Sequence, residues 1–227
     1  MPVPANGNSI LGVESVASAL SDDRPLAVRA VERTLAGRQS AYADEVDRLL
    51  RAGVAVMQRT GGDSPRVSDI VREAGLSNQA FYRHFRGKDE LLAAILDDGT
   101  RTLLAYLEHQ MAKEHTAEGR IRRWVEGIMA QATDPGAAEA TRAVNLNSAR
   151  LAEQFRQEAQ RSQLLLRGPL IDALDDAGSV DPARDADAIY QLVMGTMHDH
   201  LWRRTRPSRA DVAHLVRFCL AGIRRET

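Results

Sequence analysis

Residues 75–92 read GLSNQAFYRHFRGKDELL. From Ser77 to Lys88 the chain carries Arg83, His84, Arg86 and Lys88 with no acid among them, and Phe81, Tyr82 and Phe85 are interleaved with those groups. The Gly-Leu-Ser that opens the stretch predicts a helix break: Gly75 closes one helix and Ser77 caps the next. Leu76 before the cap and Phe81 at the fourth helical position are spaced as a hydrophobic staple. Upstream, Val67, Ile70, Val71 and Ala74 recur at i, i+3, i+4 and i+7, with Ser64 expected as the N-cap and Pro65 as the first helical residue. Two short helices joined by a tight turn containing glycine make a helix-turn-helix.

The remainder of the chain is helical in pattern, with abundant Ala, Leu, Arg and Glu and no run alternating with period two. Residues 1 to about 24 are rich in Pro, Gly, Asn and Ser and are expected to be disordered or loosely attached. A short helix is predicted from Pro25 to about Leu35, interrupted at Gly37. A longer one follows from about Ala41 to Arg59, burying Val46, Leu49, Leu50, Gly53, Val54 and Met57 and ending at Gly61-Gly62-Asp63. Beyond Gly87, Asp89 and Glu90 sit in the first turn of a long helix, where the positive helix end favours them. It continues through Leu91, Leu92, Ile95, Leu96, Leu103, Leu104, Leu107 and Met111. A helix over about 117–132 is stopped by Asp134-Pro135-Gly136, and 137–176 reads as two helices or as one broken near Gly168-Pro169. Asp181 and Pro182 open a helix to about Arg204. Ser208 with Asp211 resembles a capping box opening a last helix to about Arg224.

Composition narrows the function. The 227 residues suffice for one large or two small domains with a buried core. No apolar run approaches the ~20 residues of a membrane span, and the polar, acidic N-terminus does not read as a secretory signal. The single cysteine, Cys219, can form neither an internal disulfide nor a thiolate zinc cluster. A cytoplasmic protein with no membrane partner is the expectation. A formal charge of -1 argues against indiscriminate coating of nucleic acid, yet leaves room for a local basic patch.

The opening stretch has the chemistry for such a patch. A helix-turn-helix lays its second helix in the major groove and uses its early residues on base edges. Asn78 and Gln79 carry amides that can pair with adenine, and Arg83 can pair with guanine. Ala80 allows close approach or touches a thymine methyl, and Tyr82 and His84 reach phosphates or the groove edge. Lys88, beside the free N–H groups of the next helix, is placed for a backbone phosphate. Phe81 and Phe85, four apart, are expected to point inward. One short reading helix covers few base pairs, so two copies about a two-fold axis would read a palindrome in double-stranded DNA.

Residues 44–96 resemble the DNA-binding domain of the TetR family of bacterial transcriptional regulators. The family pattern is Val/Thr-x-x-Ile-Ala-x-x-Ala-Gly-Val-Ser, then x-x-x-Leu/Phe-Tyr-x-His-Phe-x-x-Lys-x-x-Leu. The chain has Val67-Ser68-Asp69-Ile70-Val71-Arg72-Glu73-Ala74-Gly75-Leu76-Ser77, continuing Asn78-Gln79-Ala80-Phe81-Tyr82-Arg83-His84-Phe85-Arg86-Gly87-Lys88-Asp89-Glu90-Leu91, without insertion or deletion. The resemblance implies an all-α fold: an N-terminal extension (1–40), a three-helix DNA-binding domain (41–96), and a larger helical effector-binding and dimerisation domain (97–227). It places groove reading on Asn78, Gln79, Ala80, Tyr82, Arg83 and His84 behind the cap Ser77, and phosphate contacts on Tyr82, Lys88, Arg66, Val67 and Ser68. Pro65 departs from the family's frequent Thr and has neither hydroxyl nor N–H, so one phosphate contact is expected to be lost or moved to Arg66. In the extension, Arg29, Arg33 and Arg38 form either a basic arm to the minor groove or a solvated helix.

The same resemblance implies a homodimer through the last two helices, whose apolar rows are Ile189, Leu192, Val193, Thr196 and Met197, then Val212, Leu215, Val216, Cys219 and Ile223. It further implies a small-molecule effector that releases the DNA. Candidate pocket walls are Leu104, Leu107, Met111, Trp124, Ile128, Phe155, Tyr190 and Met194, with Asn145 and Arg150 as polar anchors, Arg150 suiting an acidic ligand. A DNA-binding dimer without an effector stays open. Nothing favours an enzyme: there is no HExxH, phosphate loop or nucleophile elbow, and His198 and His200, two apart on one helix, face away from each other. No metal and no cofactor are expected.

Overall fold

The computed structural model describes residues 25–61, 64–145, 151 and 153–223. Among them are nine helices and no strand. In chain order these are α1 (Leu26–Arg59), α2 (Val67–Ala74), α3 (Asn78–His84), α4 (Lys88–Met111), α5 (Ala117–Thr133), α6 (Pro135–Asn145), α7 (Arg156–Asp176), α8 (Pro182–Arg203) and α9 (Arg209–Ala221). By compactness the chain divides into residues 1–44 and 45–227.

α1 corrects the expected interruption at Gly37. The helix runs unbroken for 34 residues, because one glycine costs a helix interior only about 1 kcal/mol and the neighbouring alanines and arginines are good formers. Within residues 25–44 the row Val28, Val31, Leu35 and Tyr42 stays exposed, as do Arg33 and Arg38. The disorder expected of residues 1–24 falls outside the described residues.

The second unit begins with the head formed by α2, α3 and the later part of α1. Leu49, Ala52, Val56 and Met57 of α1 are buried, with Val46, Leu50 and Val54 only partly so. Ile70, Val71 and Ala74 of α2 and Phe81 and Phe85 meet them, as do Leu91, Leu92 and Ile95 from the start of α4. α2 starts two residues later than expected. Arg66, extended at φ -88° and ψ 144°, is its N-cap and makes no side-chain capping bond, while Pro65 is buried ahead of the helix. The carbonyl of Arg66, not that of Ser64, accepts from the amides of Asp69 and Ile70. Proline disfavours helical backbone in the residue before it, so Ser64 cannot turn into the helix there.

A second core lies farther along the chain. Leu107 and Met111 at the far end of α4 pack with α5, α7, α8 and α9 around the fully buried Trp124, Val125, Ile128, Leu170 and Val193. Trp124 satisfies its ring N–H by donating to the Leu166 carbonyl at 2.9 Å. Among the described residues the stretch after α5 carries α6 and α7, with Pro169 inside α7. α4 therefore contributes its first turns to the head and its last turns to the bundle, so a shift of α4 is felt in both.

Candidate nucleic-acid interface

The turn before α3 is built from local chemistry. Gly75 takes φ 63°, ψ 37°, its N–H bonds to the Arg72 carbonyl, and the Leu76 N–H reaches back to Val71. That left-handed step suits glycine. Ser77 Oγ then accepts from the Ala80 amide at 3.1 Å. The last carbonyls of α2 find a donor that local reading missed: Arg48 on α1 donates Nε to Ala74 O at 3.0 Å and Nη2 to Gly75 O at 3.0 Å. Its signal was available, since Glu45, Arg48, Leu49 and Ala52 share one helical face.

Phe81 and Phe85 are buried with ring centroids 5.8 Å apart, and Tyr82 stands edge-on to Phe81 while remaining 60% exposed. Asn78, Gln79 and Arg83 are exposed beside it, and Arg66, Ser68, Arg86 and Lys88 are exposed on the flanking turns. Val67 is half-buried and packs on the head core.

Two expected readers do not stand on that face. Ala80 is 5% exposed, because it shares the inward side of the short helix with Phe81, so it offers DNA no surface. The His84 side chain is 10% exposed and its Nε2 lies 2.6 Å from Glu45 Oε2 on α1. It ties the end of α3 to α1 instead of reaching a groove. Arg83 leans on the same carboxylate, Nη1 to Oε2 at 3.3 Å, with its side chain still 42% exposed. The hydrogen bond from His84 holds the Glu45 carboxyl below its ordinary value. Partial desolvation opposes this, and the charges of Arg83, His84 and Arg48 add to it. Glu45 is thus an anion at neutral pH, set behind the cations of α3.

The expected pocket walls are placed as follows. Leu107, Met111, Trp124, Ile128 and Tyr190 are buried in the bundle core, Leu104 packs partly buried against it, and Phe155 packs against the head core. Arg150 and the side chain of Asn145 lie outside the described residues. Met194 lines a cavity of about 650 Å³ whose other walls are elsewhere: Leu50 and Val54 from α1, Leu103 and Tyr106 from α4, Val144 from α6 and His198 from α8. Partial burial lowers the His198 imidazole from its ordinary value. A second cavity, about 720 Å³ between α5 and α9, touches no element of the head. His200 pairs with Thr205 at 2.8 Å, and no three metal-ligating side chains converge among the described residues.

The two apolar rows expected at a subunit interface divide. Ile189, Val193, Met197, Leu215, Val216, Cys219 and Ile223 are buried within this chain, and Val212 packs partly buried beside them. Hydrophobic periodicity marks a face that is covered without saying by what, and here the chain's own core covers it. Leu192 and Thr196 sit at the edge of that row. The faces left open carry Ala188, Leu192, Gly195 and Trp202 on α8, and Ala210, Phe218 and Ala221 on α9. Leu192 is 38% exposed and Phe218 62%.

Comparison with known proteins agrees with this geometry. Residues 49–95 match the family model described as bacterial regulatory proteins, tetR family. Over 52 residues the chain is 35% identical to an uncharacterized HTH-type transcriptional regulator, YvdT of Bacillus subtilis (strain 168); the match spans 23% of this chain and 27% of that relative. Among solved structures, the fatty acid degradation regulator FadR of Bacillus halodurans superposes with TM-score 0.61 at 20% identity, covering 80% of this chain and 97% of that one. E. coli NemR in its reduced form gives 0.62 at 17%, covering 80% and 98%. FadR of Bacillus subtilis in complex with stearoyl-CoA gives 0.60 at 18%, covering 78% and 98%. At these identities the solved structures establish the shared fold.

Proposed function

We propose that this chain, whose residues 49–95 match the model of the tetR family of bacterial regulatory proteins, is a homodimeric repressor that binds a palindromic operator and is released by a small molecule. The observation that carries the reading is the exposed surface of α3 and its flanks. Asn78, Gln79 and Tyr82 have no hydrogen-bond or ion-pair partner among the described residues, and Lys88 and Arg66 stand exposed beside them. Amides that can address base edges lie between cations that can hold phosphates, the division DNA recognition requires. Arg83 joins them by exchanging Glu45 for a base or a phosphate.

Dimerisation rests on the open faces of α8 and α9. Phe218 and Leu192 expose apolar surface there, and Gly195, with nothing near the place its Cβ would occupy, lets a second helix approach closely. The effector reading rests on the α1/α4 cavity, which touches helices that also build the head. A ligand there that fits one placement of α1 and α4 better than another shifts the spacing of two reading heads. The stearoyl-CoA complex of a protein with this fold supports a ligand-responsive reading in kind.

Selection of bound duplexes from a randomised DNA pool, at moderate salt, tests the proposal. Enrichment of a two-fold symmetric site is the expected result. A folded, dimeric protein that enriches no site would sink it, or require a corepressor, which repeating the selection with a metabolite extract distinguishes.

A further inference from the structure

The charged side chains that line the α1/α4 cavity are all solvent-exposed. Arg51 and Asp47 are paired with each other at 2.6 Å, and Asp98 stands beside the charge of Arg101. Hydrated and screened in this way, they select little between ligands of either sign. The covered walls are apolar along Leu50, Val54, Ile95, Leu103, Leu166 and Met194.

One corner of those walls is polar, where α5, α6 and α8 meet. Thr141 Oγ1 donates to Gln131 Oε1 at 3.1 Å, and both residues are half-buried in the lining. The next residue, Arg142, donates Nε to Leu201 O at 2.9 Å, which brings the last turns of α8 to the same corner. His198, one turn before Leu201, is held toward its neutral form by partial burial. The bond from Thr141 uses the oxygen of the Gln131 amide and so fixes its orientation. The two Nε2 hydrogens have no partner among the described residues, and a half-buried donor in that state calls for an acceptor.

We propose that this cavity binds a neutral ligand, an apolar body carrying a carbonyl-type hydrogen-bond acceptor that docks on the Gln131 amide. The inference rests on the effector reading given above and adds the ligand's chemical class. A neutral body gains the apolar walls and gives Gln131 its missing acceptor. An ion of either sign surrenders its hydration and meets no buried or half-buried opposite charge in the lining among the described residues. A volume of about 650 Å³ lies in the range of small-molecule sites.

The test uses four pyrene probes of similar shape on the full chain: 1-acetylpyrene, 1-isopropenylpyrene, pyrene-1-carboxylate and 1-pyrenylmethylammonium. Affinities are read at neutral pH from pyrene fluorescence and checked by equilibrium dialysis. Acetylpyrene is expected to bind roughly tenfold more tightly than either ion. It should also bind about fivefold more tightly than the isopropenyl compound, which lacks only the acceptor oxygen; that is the size of one net hydrogen bond. Gln131→Leu should erase this second difference without weakening the isopropenyl compound. Gln131→Glu, which keeps the shape and removes the donors, takes its place should the first fail to fold. Gln58→Leu, at the other half-buried amide of the lining, should leave the difference as it was. Val54→Trp should abolish binding of all four by filling the cavity, with Ala140→Trp as a second filler should the first fail to fold. Either ion binding as tightly as acetylpyrene, and lost in the fillers, would overturn the ligand class and leave the cavity as an effector site. A preference for the acetyl compound that survives the Gln131 variants would overturn the anchor. Failure of all four probes, or binding undiminished in folded fillers, would overturn the assignment of this cavity itself.

Discussion

At the scale of single residues the proposed DNA-reading surface depends on a carboxylate behind it. Glu45 accepts from His84 and from Arg83, so one anion fixes the end of α3 and restrains its principal guanidinium. Its carboxyl is held below the ordinary 4.5, with the His84 hydrogen bond the largest cause. A depressed carboxylate contributes stability that is present above its unfolded value and is lost as pH falls through its folded value. Wild-type protein should therefore melt higher than Glu45→Gln at neutral pH, and the gap should close as pH drops below 4.5. Thermal melts of both proteins across that range check it; a gap of constant size into acid would show that the tie owes nothing to the charge. A second pair of substitutions separates the readers from the holders. Lys88→Ala should weaken binding to all sequences alike and reduce the salt slope by about one, whereas Arg83→Ala should cost about 1–3 kcal/mol and relax preference at one base pair per half-site. Equal loss of preference from both, in competition assays, would refute that division.

At the scale of elements, what could be read in advance was what is decided within four residues. Gly75, Ser77, Asp181 and the Ser208–Asp211 box all cap as their spacing implies, because each bond joins neighbours in the chain. The His84–Glu45 tie spans 39 residues and Arg48 reaches Ala74 across 26, so a local pattern marks the face of α1 that carries Glu45 and Arg48 but names the partner of neither. Ala80 turned inward for a related reason: a seven-residue helix that buries Phe81 has little outward face to distribute. The pocket walls went unread because large apolar residues such as Trp124 and Ile128 signal burial alone, and the core claimed them before any ligand could. α1 shows the opposite error, a glycine given too much weight. Nothing lies within 4 Å of the site a Cβ would take at Gly37. Gly37→Ala should stabilise that stretch of α1 by about 1 kcal/mol, visible as slower amide exchange on either side of it. Unchanged or faster exchange would mean the glycine is wanted for a bend.

At the scale of the whole molecule, the proposed function turns on whether two heads are held at one spacing. Apolar rows on α8 and α9 were legible, but each helix has two sides, and the buried side closes the bundle core of this chain. The open side is what remains for a partner. A helix pair that left Phe218 62% exposed in an isolated chain would carry a contiguous apolar patch at solubility cost. A large exposed aromatic is also the kind of anchor that dominates an interface. Phe218→Glu places a charge at that anchor and touches no part of the core. It should therefore leave the thermal melt of a monomer intact while weakening self-association by more than roughly tenfold. Operator affinity should fall with it, since each head alone holds one half-site, and binding should become strongly dependent on protein concentration. Sedimentation and operator titration on the same preparations check both halves of the claim. A variant that stays dimeric and binds as before would move the interface off α9, and with it the axis that sets the spacing of the two reading helices.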